Sequence, residues 1–216
     1  MADEIVFYTN PMSRGRVVRW MLEELGMPYR TEVLEYGTTM KAPSYLAINP
    51  MGKVPSIRHG ETVVTEAAAI CTYLADAFPQ ARLAPPPESR LRGPYYRWLF
   101  FAAGPVEQAI SVKACGWVTP SERRGMVGFG TLEDVLNTIE AVLDGRDCLV
   151  GDSFTAADLY LGAHLAWGMQ IGAFETRPAF ETYAGRLYSR SAAIRAKEID
   201  DSIIAGRQAA NPEPAN

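Results

Sequence analysis

Pro85-Pro86-Pro87 separates two kinds of sequence, and this break constrains the fold more than any other feature of the chain. Consecutive prolines lock φ and carry no amide hydrogen, so neither a helix nor a central strand runs through them. They make a stiff, extended connection. Before it, short apolar alternations interleave with helical periodicity. "EIVFY" (4–8) predicts a first strand. "GRVVRWMLEELG" puts Val17, Val18, Met21, Leu22 and Leu25 on one stripe, a helix that Gly26 ends and Pro28 keeps from resuming. "YRTEVLEY" predicts a second strand, and "TMKAPSYLAINPMG" is irregular with room for one helical turn. "VPSIR", the turn His59-Gly60-Glu61 and "TVV" form a hairpin; "TEAAAICTYLADAF" is a helix with Thr65 as its N-cap. Residues 1–78 therefore read as an α/β domain, with a linker at 79–87.

Residues 88–206 read as an all-helical domain, and 207–216, "RQAANPEPAN", as a loose tail. "YYRWLFFAAGPVEQAI" carries aromatics on more than one face, which predicts burial from several sides, with a kink at Gly104-Pro105. "RGMVGFGTLEDVLNTIEAVLDG" holds an amphipathic helix ending at Gly145. "FTAADLYLGAHLAWGMQ" has Thr155 and Asp158 at capping-box spacing, with Phe154 and Leu159 at staple positions. "PAFETYAGRLYSR" and "AAIRAKEID" predict two short final helices.

Composition narrows the function. With 216 residues, 48% hydrophobic, the chain can bury a sizeable core in one large or two modest domains. The 21 basic and 25 acidic residues are well mixed, which argues against a nucleic-acid partner. No apolar run approaches the roughly 20 residues that span a bilayer, so no membrane partner is expected. "MADEIVFYTN" lacks the basic and apolar regions of a secretory signal. Cys71, Cys115 and Cys148 are unevenly spaced and form no CxxC, and the histidines are His59 and His164 alone. That pattern predicts reduced thiols, a cytoplasmic protein and no metal.

"MGKVPSIR" (51–58) raises a question, because a proline sits inside a strand-like stretch. Either Pro55 starts an edge strand, or its peptide bond is cis and turns the neighbouring backbone toward a ligand.

"NPMGKVP" before a hairpin, "TEAAAI" opening the next helix and "FTAADLYLGAHL" in a helical second half together resemble the cytosolic glutathione S-transferases. "PMSRGRVVRWMLEELGMPY" is most similar to the bacterial members. The resemblance implies a thioredoxin-like first domain followed by an all-helical one, a homodimer, and glutathione as co-substrate. It implies that Pro55 is cis and that Val54 pairs its backbone with the cysteinyl part of glutathione, as in strand addition. It also implies that Lys53 meets the glycine carboxylate, as a point charge. Glu66 then meets the α-ammonium of the γ-glutamyl group, although an acid also suits the first turn of any helix. The family usually has serine where this chain has Ala67. The γ-glutamyl carboxylate then relies on backbone N–H groups at the helix start.

The family activates the thiol with serine, tyrosine or cysteine just after the first strand. Cysteine is excluded here, since Cys71 is the first in the chain. Ser13, in "NPMSRGR", is the first choice; its other natural role is to cap the first helix. Tyr8 is the second choice, and Thr9 and Asn10 lie in range. Arg14 and Arg16 add positive potential. Tyr96, Phe100, Phe101 and Trp117 are candidates to line a pocket for a hydrophobic electrophile, although such residues at helical spacing also build cores. Asp158 reads as a cap and His164 as a core histidine. The expected activity is conjugation of glutathione thiolate to an apolar electrophile, in detoxification or small-molecule metabolism. The alternatives are a transferase-like binding protein without turnover, motivated by Ala67, and a glutathione-dependent isomerase. The isomerases carry a Ser-Ser-Cys-like run that "PMSRGR" lacks.

Overall fold

The computed structural model describes residues 3–210. They form two compact units: one runs to Ala81 and takes in the chain again from Arg190 onward, and the other is Arg82–Ser189.

The first unit begins with β1 (Ile5–Thr9), α1 (Gly15–Leu25), β2 (Arg30–Val33), a 3-10 turn at Thr39–Lys41 and α2 (Pro43–Leu46). β3 (Ser56–His59), β4 (Thr62–Thr65) and α3 (Ala67–Ala77) follow. The sheet order is β2-β1-β3-β4, with β1 parallel to β2 and antiparallel to β3. A β-α-β crossover makes the parallel pair, and the tight His59–Thr62 hairpin adds β4 antiparallel to β3. Ile5, Phe7 and Ile57 are buried in the sheet; α1 buries Val18, Met21 and Leu22 and α3 buries Ile70, Cys71 and Leu74. Each such aliphatic side chain contributes about 1.5–3 kcal/mol. Burial pushes the Cys71 thiol up to about 12, so it is chemically inert. Gly26 ends α1 at φ 64°, and its N–H donates to Leu22 O at 3.2 Å. Thr65 closes β4, and Glu66 takes the N-cap position expected of Thr65.

The second unit contains α4 (Arg92–Phe101), a π-helical turn at Ala102–Val106, α5 (Glu107–Ala114), α6 (Leu132–Leu143), α7 (Ala156–Gln170) and α8 (Pro178–Tyr188). Pro105 lies inside the π turn, at the place where a kink is expected, and the wider ladder accommodates its missing N–H. Asp158 is fully buried and accepts four hydrogen bonds, from Leu149 N, Thr155 N, Thr155 Oγ1 and Tyr183 Oη, at 2.7–2.9 Å. A buried carboxylate satisfied on both oxygens is a structural element. Burial beside Asp158 holds the Tyr183 phenol well above its usual range. His164 is buried, with Nδ1 on Tyr160 O and Nε2 on Glu107 Oε2, both at 2.8 Å.

Two expectations are corrected. α4 is not buried all round: Tyr95, Trp98 and Leu99 face the interior, while Phe100 is 74% exposed. The final helix, α9, spans Ser191–Ala210, so residues 207–210 are helical and not tail; residues 211–216 lie outside the described residues. α9 also packs on α1, which removes it from the helical region expected at 88–206. α9 buries Ala192, Ala193 and Ala196, and the contact encloses an ion pair between Arg19 of α1 and Asp200 of α9.

Candidate functional site

Register places three chain segments at one end of the sheet. Tyr8 of β1 pairs with Ser56 of β3, and Ser56 pairs with Thr65 of β4. The turn after β1, the segment before β3 and the start of α3 therefore leave the sheet side by side. They carry Asn10–Ser13, Lys53–Pro55 and Glu66–Ala67.

The Val54–Pro55 peptide bond is cis. β3 starts only at Ser56, and among the described residues no backbone hydrogen bond joins Val54 to the sheet. Its half-buried backbone is available to an extended chain. The segment before it is held firmly. Lys53 O accepts from Tyr45 Oη at 2.6 Å and from Asn49 Nδ2 at 2.8 Å. Met51 O accepts from Lys41 Nζ at 3.0 Å. Gly52 sits at φ +56°, and a Cβ there would fall 2.9 Å from Leu46 and Lys41, so only glycine fits the turn. Lys53 and Lys41 are both exposed and bracket this turn with two ammonium groups. Lys41 escaped the sequence reading because its partner lies ten residues away across an irregular loop.

Glu66 adopts φ 65°, ψ 119°, outside the regions comfortable for a residue with a side chain. Such strain costs about 1–3 kcal/mol and concentrates at ligand sites. Its carbonyl accepts from Ile70 N at 2.8 Å, its side chain is exposed, and no side chain caps α3. Ala67, 8% exposed, follows as the first helical residue. The first-turn amides of α3 have no intrahelical acceptor and carry the positive end of the helix dipole.

The turn after β1 is wired carbonyl by carbonyl. Ser13 Oγ donates to Asn10 O at 2.6 Å and accepts from Gly15 N at 2.9 Å. Arg16 Nε donates to Pro11 O at 2.7 Å, and Tyr36 Oη donates to Met12 O at 3.2 Å. Asn10 Nδ2 ties the turn to Leu34 O at 2.7 Å. Gly15 is required by close approach, since a Cβ there would stand 2.0 Å from Thr9 Oγ1. Arg14, and not Ser13, is the N-cap of α1, although Ser13 Oγ still engages the first helical amide at Gly15. Tyr8 is half-buried, its ring 5.7 Å from that of Tyr45, and among the described residues its hydroxyl has no hydrogen-bond partner.

Tyr96, Phe100, Phe101 and Trp117 all belong to the second unit. Tyr96, Phe100 and Trp117 are 39%, 74% and 68% exposed, and half-buried Phe101 packs edge-on against Trp98 at 5.5 Å. Three of the four are therefore surface groups and not core. Among the described residues, no cluster of three His, Cys, Asp or Glu side chains is placed to hold a metal. No described helix is long and apolar enough to cross a membrane.

Comparison with known proteins agrees with this architecture. Residues 12–77 match the glutathione S-transferase N-terminal domain model, and residues 109–190 match the C-terminal one. Glutathione S-transferase GST-4.5 of Xanthomonas campestris is 29% identical over 177 residues, 76% of this chain and 83% of that protein. A glutathione transferase from Methylococcus capsulatus superposes with TM-score 0.78 at 26% identity, covering 91% of this chain and 98% of that one. A sphingomonad glutathione S-transferase, solved in complex with glutathione, gives TM-score 0.74 at 28% identity over the same shares. A sheet whose one end gathers a cis-proline segment, a strained helix start and a wired turn, with both family domains in order, makes this chain a member of the glutathione S-transferase family.

Proposed function

We propose that the protein binds glutathione at the end of the sheet and transfers its thiolate to a small hydrophobic electrophile. The observation that carries this reading is the pairing of an unbonded Val54 backbone with a strained Glu66 at an uncapped helix start. Val54 takes the cysteinyl backbone. Lys53, joined by Lys41, takes the glycine carboxylate. The amides of Ala67 and Ala68 take the γ-glutamyl carboxylate, and Glu66 takes the ammonium. The family's usual serine hydroxyl is lost at Ala67, which weakens binding.

Ser13 is the proposed thiolate donor. Its one proton now lies on Asn10 O. A neutral hydrogen bond is worth about 0.5–1.5 kcal/mol and one to an anion about 1.5–3, so turning the proton to the sulfur is favourable. Asn10 O is not orphaned by the exchange, because Ser13 N still donates to it at 3.1 Å. Arg16 and the start of α1 add positive potential. Two units of thiol pKa depression, about 2.7 kcal/mol, make thiolate the major form at neutral pH. Rate then comes from proximity and nucleophile activation. Tyr8 is the second reading, favoured by its unengaged hydroxyl. A cytoplasmic homodimer completes the proposal.

The test is calorimetric titration with glutathione, with conjugation of a generic aromatic electrophile assayed in parallel. Binding between micromolar and low millimolar, with turnover, supports a transferase. Binding without turnover on a panel of electrophiles supports the binding-protein reading. No binding at millimolar glutathione overturns both.

A further inference from the structure

α9 is anchored to α1 along its length. Arg190 meets Glu24 at 2.7 and 2.8 Å, Arg195 meets Glu23 at 3.2 Å, and Arg19 meets Asp200 at 2.7 Å. Two further contacts lead beyond α1 to the loops at its start. Asp201 Oδ1 accepts from Arg16 Nη2 at 2.8 Å, while Arg16 Nε holds Pro11 O. Arg207 pairs with Glu35, whose neighbour Tyr36 holds Met12 O. One guanidinium thus links α9 to the Ser13 turn directly, and one carboxylate links it to the loop that supports that turn from the other side.

We propose that Asp201 and Arg207 are positioning residues, which fix the Ser13 turn from α9 through Arg16 and through Glu35–Tyr36. Ser13 can exchange its proton between Asn10 O and a sulfur only while the turn keeps its shape. If the Pro11 and Met12 carbonyls are released, Ser13 Oγ moves relative to Val54, which belongs to a separately braced segment. The effect falls on the thiolate and leaves the peptide-holding groups in place. Lys197 supplies an internal control: it binds Asp201 Oδ2 at 2.7 Å on the same helix, and among the described residues no hydrogen bond or ion pair joins it to either loop.

The experiment compares Asp201→Asn, Arg207→Gln and Lys197→Ala with the parent. It measures backbone hydrogen exchange over residues 10–15 and 34–41, the glutathione Kd, turnover, and the pH midpoint of the bound thiolate band. Exposed ion pairs are worth up to about 1 kcal/mol, so Asp201→Asn and Arg207→Gln each lower turnover about two- to fivefold. Both shift the thiolate midpoint, quicken exchange in the two loops, and leave Kd within about twofold. Lys197→Ala matches the parent. Exchange in both loops equal to the parent overturns the proposal. Quickened exchange with unchanged turnover and thiolate midpoint also overturns it, because α9 is then only a structural brace. The kinetic arm rests on the glutathione reading. If the parent itself fails to bind glutathione, that reading falls, and hydrogen exchange alone decides whether α9 fixes the turn.

Discussion

Arg19 Nε donates to Asp200 Oδ1 at 2.7 Å across 181 residues of sequence, and both side chains are 1% exposed. Arg19 also donates to Tyr29 Oη and Thr31 Oγ1 at 3.2 Å and lies 5.2 Å over the Phe7 ring. Among the described residues, Arg19 Nη2 and Asp200 Oδ2 have no hydrogen-bond partner. Burial raises the Asp200 carboxyl, and the attraction of Arg19 offsets this only in part. Replacing such a buried pair by well-packed apolar side chains is often neutral or stabilising, whereas removing one partner is strongly destabilising.

Asp200→Leu leaves a buried guanidinium unpaired and lowers stability by about 3–5 kcal/mol. Combining it with Arg19→Met restores stability to near or above the parent. Denaturant unfolding of the four proteins in a double-mutant cycle checks this. A double variant as unstable as Asp200→Leu would falsify the account of the pair.

Two groups of this cluster set pH windows. Asp200 has its carboxyl raised from 3.8, so the folded state holds the proton longer than the unfolded one. Its contribution to stability therefore falls as pH rises from about 3.8 through the folded pKa. Tyr29 is raised from 10.0 to about 12 by burial, then by its hydrogen bond to Glu23. By the same sign, its contribution is lost as pH rises from 10 to about 12. Tyr29→Phe removes the alkaline step, which denaturation midpoints measured across that range will show.

Ser13→Ala keeps glutathione affinity within a few-fold and lowers turnover by about ten- to a hundredfold, the loss of one hydrogen bond to an anion. Tyr8→Phe leaves turnover within a few-fold. Steady-state kinetics of both variants decide between the two hydroxyls, and the reverse pattern transfers the role to Tyr8.

Ala67→Ser restores the hydroxyl typical of the family at the first position of α3. A hydrogen bond to the γ-glutamyl carboxylate tightens glutathione by about tenfold or more. Calorimetry reads this directly, and an unchanged Kd removes the γ-glutamyl carboxylate from this position.

Glu66→Gly relieves the strained φ of 65° and raises stability by up to about 1 kcal/mol. It also removes the carboxylate proposed for the ammonium and weakens glutathione binding. Thermal melting and titration of one variant measure both effects. A variant that is less stable than the parent contradicts the strain.

Local signals alone determined much of this protein. Gly26 ends α1, Thr155 and Asp158 start α7, Pro105 marks the π turn, and the three prolines near residue 86 fall between sheet-based and helical sequence. Each works within a few residues, through φ restriction or a missing or supplied donor, so each is legible in one short stretch. The family resemblance at Val54-Pro55 and "TEAAAI" added the position of the site. Tertiary structure decided the rest. Nothing in the sequence marks Arg19 as buried before Asp200 meets it, α9 reads as the end of the helical region until it packs on α1, and Phe100 reads as core until its face is left uncovered. Lys41 and the strain at Glu66 belong to the same group. Charge partners and burial depend on what a distant segment brings to the same place, and periodicity along a single helix does not encode that.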